Sequence, residues 1–448
     1  MGVENIEKYS RSYAALKTFL RFWHDKIFYR KVVYVNREKL PLNEHLIFTP
    51  NHQNALMDAL AIEFSLSNQF VFVARSDIFK NKQIARILYF LKILPVYRIR
   101  DGYDSLKKNE LTFRKTLDII RNKNGFVILP EGNHAGFRKL RSLKKGFARI
   151  AFQAEEAENF LLDMKIVPVG INYSDYENFR SDLLVIFGKP FAVSEFYEVY
   201  KENPAVAYNR IKEKLAREMK PLMINIESQY YDAVDFLRKA YRRDACRQLN
   251  LDDTDLYHQF RAEKEIIARL NRFEQTSPDK MKRLAEKVQH YRQQLKTLKI
   301  PDVQPATKGR LFLNRILLLL GFPFFLYGYL NHFFPWNICI ATGNKIKDPQ
   351  FRSSFKFVLS FITFPLFYLI QILLVQWGFH RPVITILYAV TLPFFAAFSW
   401  NYARLYRKTV ALGRYWRNRR KKNRLLSEAE KLYAEIMEET GRLFHSFS

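Results

Sequence analysis

The sequence predicts an α/β fold with a mostly parallel central sheet flanked by helices, followed by a helical insertion and a C-terminal helical membrane region. Three observations predict it. Between residues 32 and 195, short β-branched and aromatic runs alternate with helix-period patterns. Between residues 200 and 300 the strand signals fade and polar helical patterns take over. From residue 311 onward, apolar stretches appear that approach or exceed the length needed for a hydrocarbon core of about 30 Å.

Residues 1–31 form the first segment. Over 9–30, Tyr13, Leu16, Leu20, Trp23 and Ile27 recur at helical spacing, and Phe19 and Phe22 widen that face. Arg11, Lys17, Arg21 and Lys26 line the remainder. Such a helix either packs on its own domain or lies in a membrane interface, aromatics among the headgroups and cations toward phosphates. The second segment, 32–199, carries strand signals at 32–35, 45–49, 70–74, 94–97, 125–129, 166–169 and 183–187. Helical patterns at 83–91, 111–120 and 143–157 fall between several of them. In open α/β sheets, ligands bind outside the carboxyl ends of the strands.

The third segment, 200–305, reads as a charged helical hairpin, with 256–273 and 280–298 divided by Thr276-Ser277-Pro278. The fourth, 306–402, holds the apolar stretches 311–334, 357–377 and 382–400. Basic residues crowd the region before Leu311, the 345–356 link and the stretch 404–424. The positive-inside rule places all three in the cytoplasm. That predicts a two-helix hairpin for the last two stretches, and a broken, re-entrant or double-crossing element for 311–334, divided at Gly321-Phe322-Pro323; a plain three-span topology, which would put one basic flank outside, is the alternative. The α/β domain then faces the cytoplasm, at the inner or plasma membrane if the source is bacterial. The fifth segment, 403–448, is a basic tail ending in an amphipathic helix over 427–443, with a capping box at Ser427 and Glu430.

Composition narrows the function classes. Lys plus Arg number 73 against 44 acids, a net charge of +29, which calls for an anionic partner. With aromatics at 16% and 40 phenylalanines in long apolar runs, that partner is a bilayer with anionic headgroups and not nucleic acid. Two cysteines, Cys246 and Cys339, suggest neither a disulfide framework nor a zinc site. The N-terminus lacks a signal-peptide pattern. The sequence carries no G-x-S-x-G, no Walker A loop, no G-x-G-x-x-G, no C-x-x-C and no H-E-x-x-H.

The chemistry rests on the stretch FTPNHQNALMDAL, residues 48–60. His52 follows an apolar strand and adjoins Asn51, and Asp58 falls in the first turn of the helix starting near Ala55. A carboxylate there is favoured by the helix dipole. It can accept the Nδ1 proton of His52 and leave Nε2 as a base. The pair resembles a catalytic triad without its nucleophile, so the nucleophile comes from the substrate, for example a hydroxyl attacking an activated acyl group. Three further strand ends join it. Arg98 and Arg100 follow the strand near 94–97, and arginine forks match phosphate oxygens. Leu129-Pro130-Glu131-Gly132-Asn133-His134 ends another, with a glycine that lets backbone N–H groups approach an anion. Residues 166–173, with Pro168 in a Val-Pro-Val run, end a third.

Taken in order, these stretches resemble the glycerolipid acyltransferases of the glycerol-3-phosphate and 1-acylglycerol-3-phosphate type, over roughly residues 35–195. That family pairs Asn-His with an aspartate, matched by Asn51, His52 and Asp58, then places an arginine after an apolar strand, matched by Arg98. Its third motif, F-P-E-G-T-R, is matched by 129–134, and its fourth, V-P-V, by 166–169. Two departures stand out. Five residues separate His52 from Asp58 instead of four, a spacing shared with the fungal-type subgroup, whose membrane tail the region beyond 300 also resembles. Asn133 and His134 replace the family's T-R, so Arg100, or Lys144 with Lys145, would have to supply the phosphate contact.

The resemblance implies a membrane-bound enzyme of phospholipid synthesis. His52, oriented by Asp58, removes the proton of a glycerol hydroxyl, and the alkoxide attacks the thioester of acyl-CoA or acyl carrier protein. Arg98 binds phosphate, Asn51, Arg100, Asn133 and Pro168 complete the substrate site, and Glu131 with Gly132 shapes its pocket. Glu131 would repel phosphate, so it is expected to hold acceptor hydroxyls or the loop itself. No metal or bound cofactor is implied. The acceptor is glycerol-3-phosphate, giving a precursor of phosphatidic acid, with lysophosphatidate or another lysophospholipid as alternatives. The competing class is a basic membrane scaffold that has lost catalysis.

Overall fold

The computed structural model describes residues 5–96, 104–301 and 307–445. Its contacts divide the chain into two units, one of Met1–Asn225 with Gly343–Phe357, the other of Ile226–Thr342 with Val358–Ser448.

The first unit is the α/β domain. In chain order it runs α1 (Arg11–Phe22), β1 (Lys31–Val35), β2 (Leu46–Pro50), α2 (Ala55–Glu63), β3 (Val71–Arg75), α3 (Lys82–Phe90) and β4 (Ile93–Val96). There follow α4 (Asp104–Arg121), β5 (Phe126–Val127), α5 (Gly146–Ala157), β6 (Lys165–Tyr173), β7 (Asp182–Phe187), β8 (Phe191–Ala192), α6 (Tyr197–Glu202) and α7 (Pro204–Met219). The strands lie in the order β1-β7-β6-β2-β5-β3-β4, with β8 paired to β6. Every neighbouring pair is parallel except β6 with β7 and with β8. Parallel strands must be covered on both faces, and β2 and β7 are buried at every residue. Phe147, Ala148, Ala151 and Phe152 of α5 and Ile211 and Leu215 of α7 share one core with Ile47 of β2 and Ile166 of β6.

Two local features fix this domain. A Cβ on Gly170 would lie 1.9 Å from the Leu222 carbonyl oxygen, so only glycine lets residues 220–225 cross β6. Asn172 then fastens the crossing, its Oδ1 accepting from Ile224 N at 2.9 Å and its Nδ2 donating to Leu222 O at 2.9 Å. The second feature is α1. It is shorter than the 9–30 span predicted, because after Phe22 the chain widens into π-helical turns over Trp23–Phe28. Tyr13 and Lys17 face inward, while Phe19 and Phe22 remain exposed. Lys17 Nζ meets Glu63 Oε1 of α2 at 2.8 Å, with both side chains buried. Burial disfavours both charges, pushing the Glu63 carboxyl up to about 7 and the Lys17 ammonium below its ordinary range.

The second unit is helical. It holds α8 (Tyr231–Ala240), α9 (Arg242–Gln248), α10 (Leu256–Thr276), α11 (Pro278–Leu298), α12 (Lys308–Lys345), α13 (Pro349–Phe379), α14 (Pro382–Arg420) and α15 (Arg424–His445), the ends of α12 and α13 nearest each other belonging to the first unit. The polar hairpin is α10 and α11, closed by α15: Lys287 Nζ reaches Glu439 Oε2 at 3.0 Å. The capping box predicted at Ser427 is not where α15 starts. The helix begins at Arg424, capped by Asn423, whose Oδ1 accepts from Leu425 N at 3.0 Å, and Glu430 accepts from the Tyr415 hydroxyl.

Helices α12, α13 and α14 are each long and apolar enough to cross a membrane. Trp377 and Leu319, at 76% and 75% exposure, mark flanks that water would not tolerate in bulk. The predicted break at Gly321-Phe322-Pro323 is absent: α12 runs as one helix past Pro323 and Pro335, although each proline removes one helical N–H donor. Two carbonyls near Pro323 also accept from α14: Tyr402 donates to Leu318 O at 2.8 Å and Ser399 to Phe325 O at 3.3 Å. Farther along, α13 takes over, with Tyr368 meeting His332 Nε2 at 2.9 Å. α14 also continues past residue 402, so the tail predicted from 403 is the same helix up to Arg420.

Replacing Lys17 by Met leaves Glu63 buried without its partner and lowers stability by about 3 kcal/mol, while Lys17→Met with Glu63→Leu recovers most of the loss. Thermal unfolding of the detergent-solubilised protein reads both, and equal melting temperatures for wild type and Lys17→Met would contradict the pairing.

Candidate active site

The site is assembled at the carboxyl ends of β2, β5 and β6. Asn51, the first residue after β2, is fully buried. Its Oδ1 accepts from Ile171 N at 2.6 Å and its Nδ2 donates to Ile171 O at 3.1 Å, so the amide stitches the outgoing loop to β6. The chain then turns into α2 through Asn54 and Ala55, the latter at φ 44. That left-handed residue belongs to the stretch that absorbs the five-residue spacing between His52 and Asp58.

Asp58 is fully buried in the first turn of α2. Its Oδ2 accepts from Gln53 N and Asn54 N at 2.7 Å each and meets His52 Nδ1 at 2.9 Å; its Oδ1 accepts from the Tyr173 hydroxyl at 2.9 Å. An ionised carboxylate only accepts, so Nδ1 carries the proton and Nε2 keeps its lone pair. Helix dipole and backbone amides both favour that negative charge. The His52 side chain is 17% exposed, within reach of a ligand.

Glu131 supports the other side of His52. Its Oε1 accepts from His52 N at 2.7 Å, and its Oε2 accepts from Arg141 N at 3.1 Å and Arg141 Nε at 3.0 Å. Burial raises the Glu131 carboxyl above the ordinary carboxylate range, opposed by these hydrogen bonds and by the Arg141 charge. Gly132 follows at φ 66, a conformation glycine adopts without strain, and a Cβ there would meet Lys144 Cγ at 3.2 Å. The His134 ring lies 5.3 Å from the His52 ring, centroid to centroid, nearly perpendicular to it. Among the described residues, no group of three or more His, Cys, Asp or Glu side chains forms a candidate metal site.

Residues 31–172 match the family model described as Acyltransferase. The α/β domain is similar to the glycerolipid acyltransferases. A Saccharomyces cerevisiae protein named glycerol-3-phosphate O-acyltransferase 2 is 27% identical over 135 residues, which are 30% of this chain. The match spans 18% of that relative's own length. The solved 1-acyl-sn-glycerophosphate (LPA) acyltransferase PlsC of Thermotoga maritima aligns at 18% identity and a TM-score of 0.31, covering 48% of this chain and 87% of that one.

Within the α/β domain, the structure brings together His52, Asp58, Glu131 and Gly132. It corrects two expectations. Asn51 has both amide atoms engaged by Ile171 and serves as a strut, not as a substrate contact. Pro168 is buried within β6, paired with Thr49, so it packs the sheet and does not line the site. Asn133 is exposed and accepts from His134 N at 2.9 Å, a local turn. Arg98 and Arg100 lie outside the described residues. Sequence reasoning missed Arg141 and Tyr173 as partners. Tyr173 closes the fourth-motif stretch and could have been read as a hydroxyl at a strand end. Arg141 carries no such signal, because it stands ten residues past Glu131 in a loop rich in cations.

Arg141→Ala removes the cation that restrains Glu131. A carboxyl raised above its unfolded value contributes stability at low pH and loses it as pH rises through the folded value. The variant raises Glu131 further, so it is destabilised by about 2 kcal/mol at pH 8 and by clearly less at pH 5. Melting curves at the two pH values check this, and a penalty that grows toward acid would overturn the assignment.

Proposed function

We propose that this chain is a membrane-bound O-acyltransferase that moves a fatty acyl group from acyl-CoA or acyl carrier protein to a hydroxyl of glycerol-3-phosphate. The observation that carries the reading is the His52–Asp58 pair: a base fixed at Nδ1, with Nε2 left to act. Among the described residues its ring has no hydroxyl or thiol partner from the chain, so the acceptor itself supplies the nucleophile.

The step runs as follows. His52 Nε2 takes the proton of the acceptor hydroxyl, and its oxygen adds to the thioester carbonyl. Collapse breaks the C–S bond, and the leaving thiolate takes the proton back from His52. Asp58 stabilises the imidazolium between these events. The step as drawn uses side chains alone, without metal or bound cofactor. Arg141 and Lys144 border the Glu131–Gly132 turn and, with Arg98 and Arg100 of the preceding motif, supply cations suited to a phosphomonoester. Three helices able to cross a membrane would hold the site where its product partitions. The charge of +29 favours an anionic leaflet, and the positive-inside rule favours a cytoplasmic site.

Glycerol-3-phosphate is preferred over lysophosphatidate because the His52–Asp58 spacing resembles that of the fungal-type subgroup, and because the yeast relative carries the glycerol-3-phosphate name. Membranes bearing the full chain are supplied with labelled acyl-CoA or acyl carrier protein, and with either acceptor in parallel. Product is expected with glycerol-3-phosphate, and His52→Ala lowers it by roughly 10³-fold or more. Asp58→Asn costs about 10²- to 10⁴-fold, through loss of tautomer and charge. Transfer to lysophosphatidate alone would reassign the acceptor. Full activity in a folded His52→Ala protein would sink the mechanism.

A further inference from the structure

The matched domain ends at residue 172, yet the first unit also contains residues 343–357, the segment joining α12 to α13. That segment reaches the loops around His52 at several points. Asp348 Oδ2 lies 3.3 Å from His134 Nε2, and the Phe351 ring packs edge-on to the His134 ring at 4.7 Å. Ser353 Oγ donates to Asn54 Oδ1 at 2.7 Å, and Asn54 N is one of the donors that hold Asp58. Arg352 pairs with Glu177 at 2.9 Å, and Lys356 Nζ donates to the Glu177 carbonyl at 3.2 Å. Thus the 51–54, 132–136 and 174–180 loops are each held by the same fifteen-residue segment.

His134 is the residue that departs from the family's third motif. It is 13% exposed at the side chain, close enough to His52 for their rings to touch, and it has a carboxylate on one nitrogen and an aromatic face beside it. An imidazole on a loop keeps one orientation only where something holds it. Here the holders come from the 343–357 segment and not from the acyltransferase motifs.

We propose that Asp348 and Phe351 are positioning residues of acyl transfer, fixing the His134 ring against His52, so that the segment between the first two apolar helices is a wall of the catalytic site. The inference rests on the acyl-transfer reading above. It makes residues 343–357 of the first unit part of the enzyme's working site.

The test uses the full chain in nanodiscs of phosphatidylcholine and phosphatidylglycerol, with palmitoyl-CoA and glycerol-3-phosphate. Asp348→Ala is expected to lower kcat roughly fivefold to tenfold with KM for either substrate within about twofold, and Asp348→Asn, which can still accept a hydrogen bond, to restore most of it. His134→Ala combined with Asp348→Ala is expected to be no worse than His134→Ala alone, since the two act through one ring. Lys347→Ala, on the same segment but outside these contacts, leaves kcat unchanged. If Asp348→Ala does not fold, Phe351→Leu replaces it with the same expectation. An active wild type with an unaffected Asp348→Ala, or with losses that multiply in the double variant, overturns the inference and leaves the acyl-transfer reading intact. An inactive wild type overturns that reading instead. The juxtaposition then stands or falls on whether a short bismaleimide joins His134→Cys to Asp348→Cys in the full chain.

Discussion

The buried carboxylate of Asp58 is the constraint on which the rest of the site depends. A fully buried negative charge is costly unless its lone pairs are filled. Here they are filled by two backbone amides, a tyrosine hydroxyl and the His52 ring. Those four donors come from the loop after β2 and from the end of β6, so satisfying the charge also sets the loop's path, the register of the strand and the tautomer of the histidine. Asn51 adds a second tie between the same two elements. Glu131 repeats the device on the far side of His52, with a cation to offset its burial. The histidine is therefore held through its ring and its backbone at once, which is what a base of fixed direction requires.

Much of this was legible beforehand, and the reason is physical. Seven of the eight described strands announced themselves as short apolar, β-branched or aromatic runs, most plainly β2 and β7, which are buried throughout and have little room for anything else. β8, two residues long, carried no such run. The His52–Asp58 pair was readable because a histidine at a strand end and an acid in the next helix turn are close in sequence. Arg141 and Asp348 were not, since their partners come from a loop and from a distant segment, and nothing local marks a residue that acts across such separations. Asn51 and Pro168 were misassigned for a related reason. A motif shows which residues recur together, but not which of them face a ligand and which hold the scaffold.

The membrane region illustrates a different limit. Gly321-Phe322-Pro323 reads as a stop in isolation, because proline removes a helical donor. Yet neighbouring helices supply hydroxyls to the carbonyls nearby, and α12 continues. Before Asn331 its hydrogen bonds come from α14, and beyond it α13 joins, with Tyr368 on His332, while Trp336 still packs against Trp400 of α14.

The buried Lys17–Glu63 pair has a consequence for how this protein changes over generations. Glu63 ends the same nine-residue helix that begins beside the His52 loop, and Lys17 comes from a helix nearly fifty residues earlier. Loss of either charge alone strands the other in the interior, whereas an apolar residue at both positions does not. Lineages can therefore cross from the charged to the apolar form only through a disadvantaged intermediate or in a joint step. Descendants should carry the two positions as a linked character, inherited and replaced together, even though neither touches the chemistry.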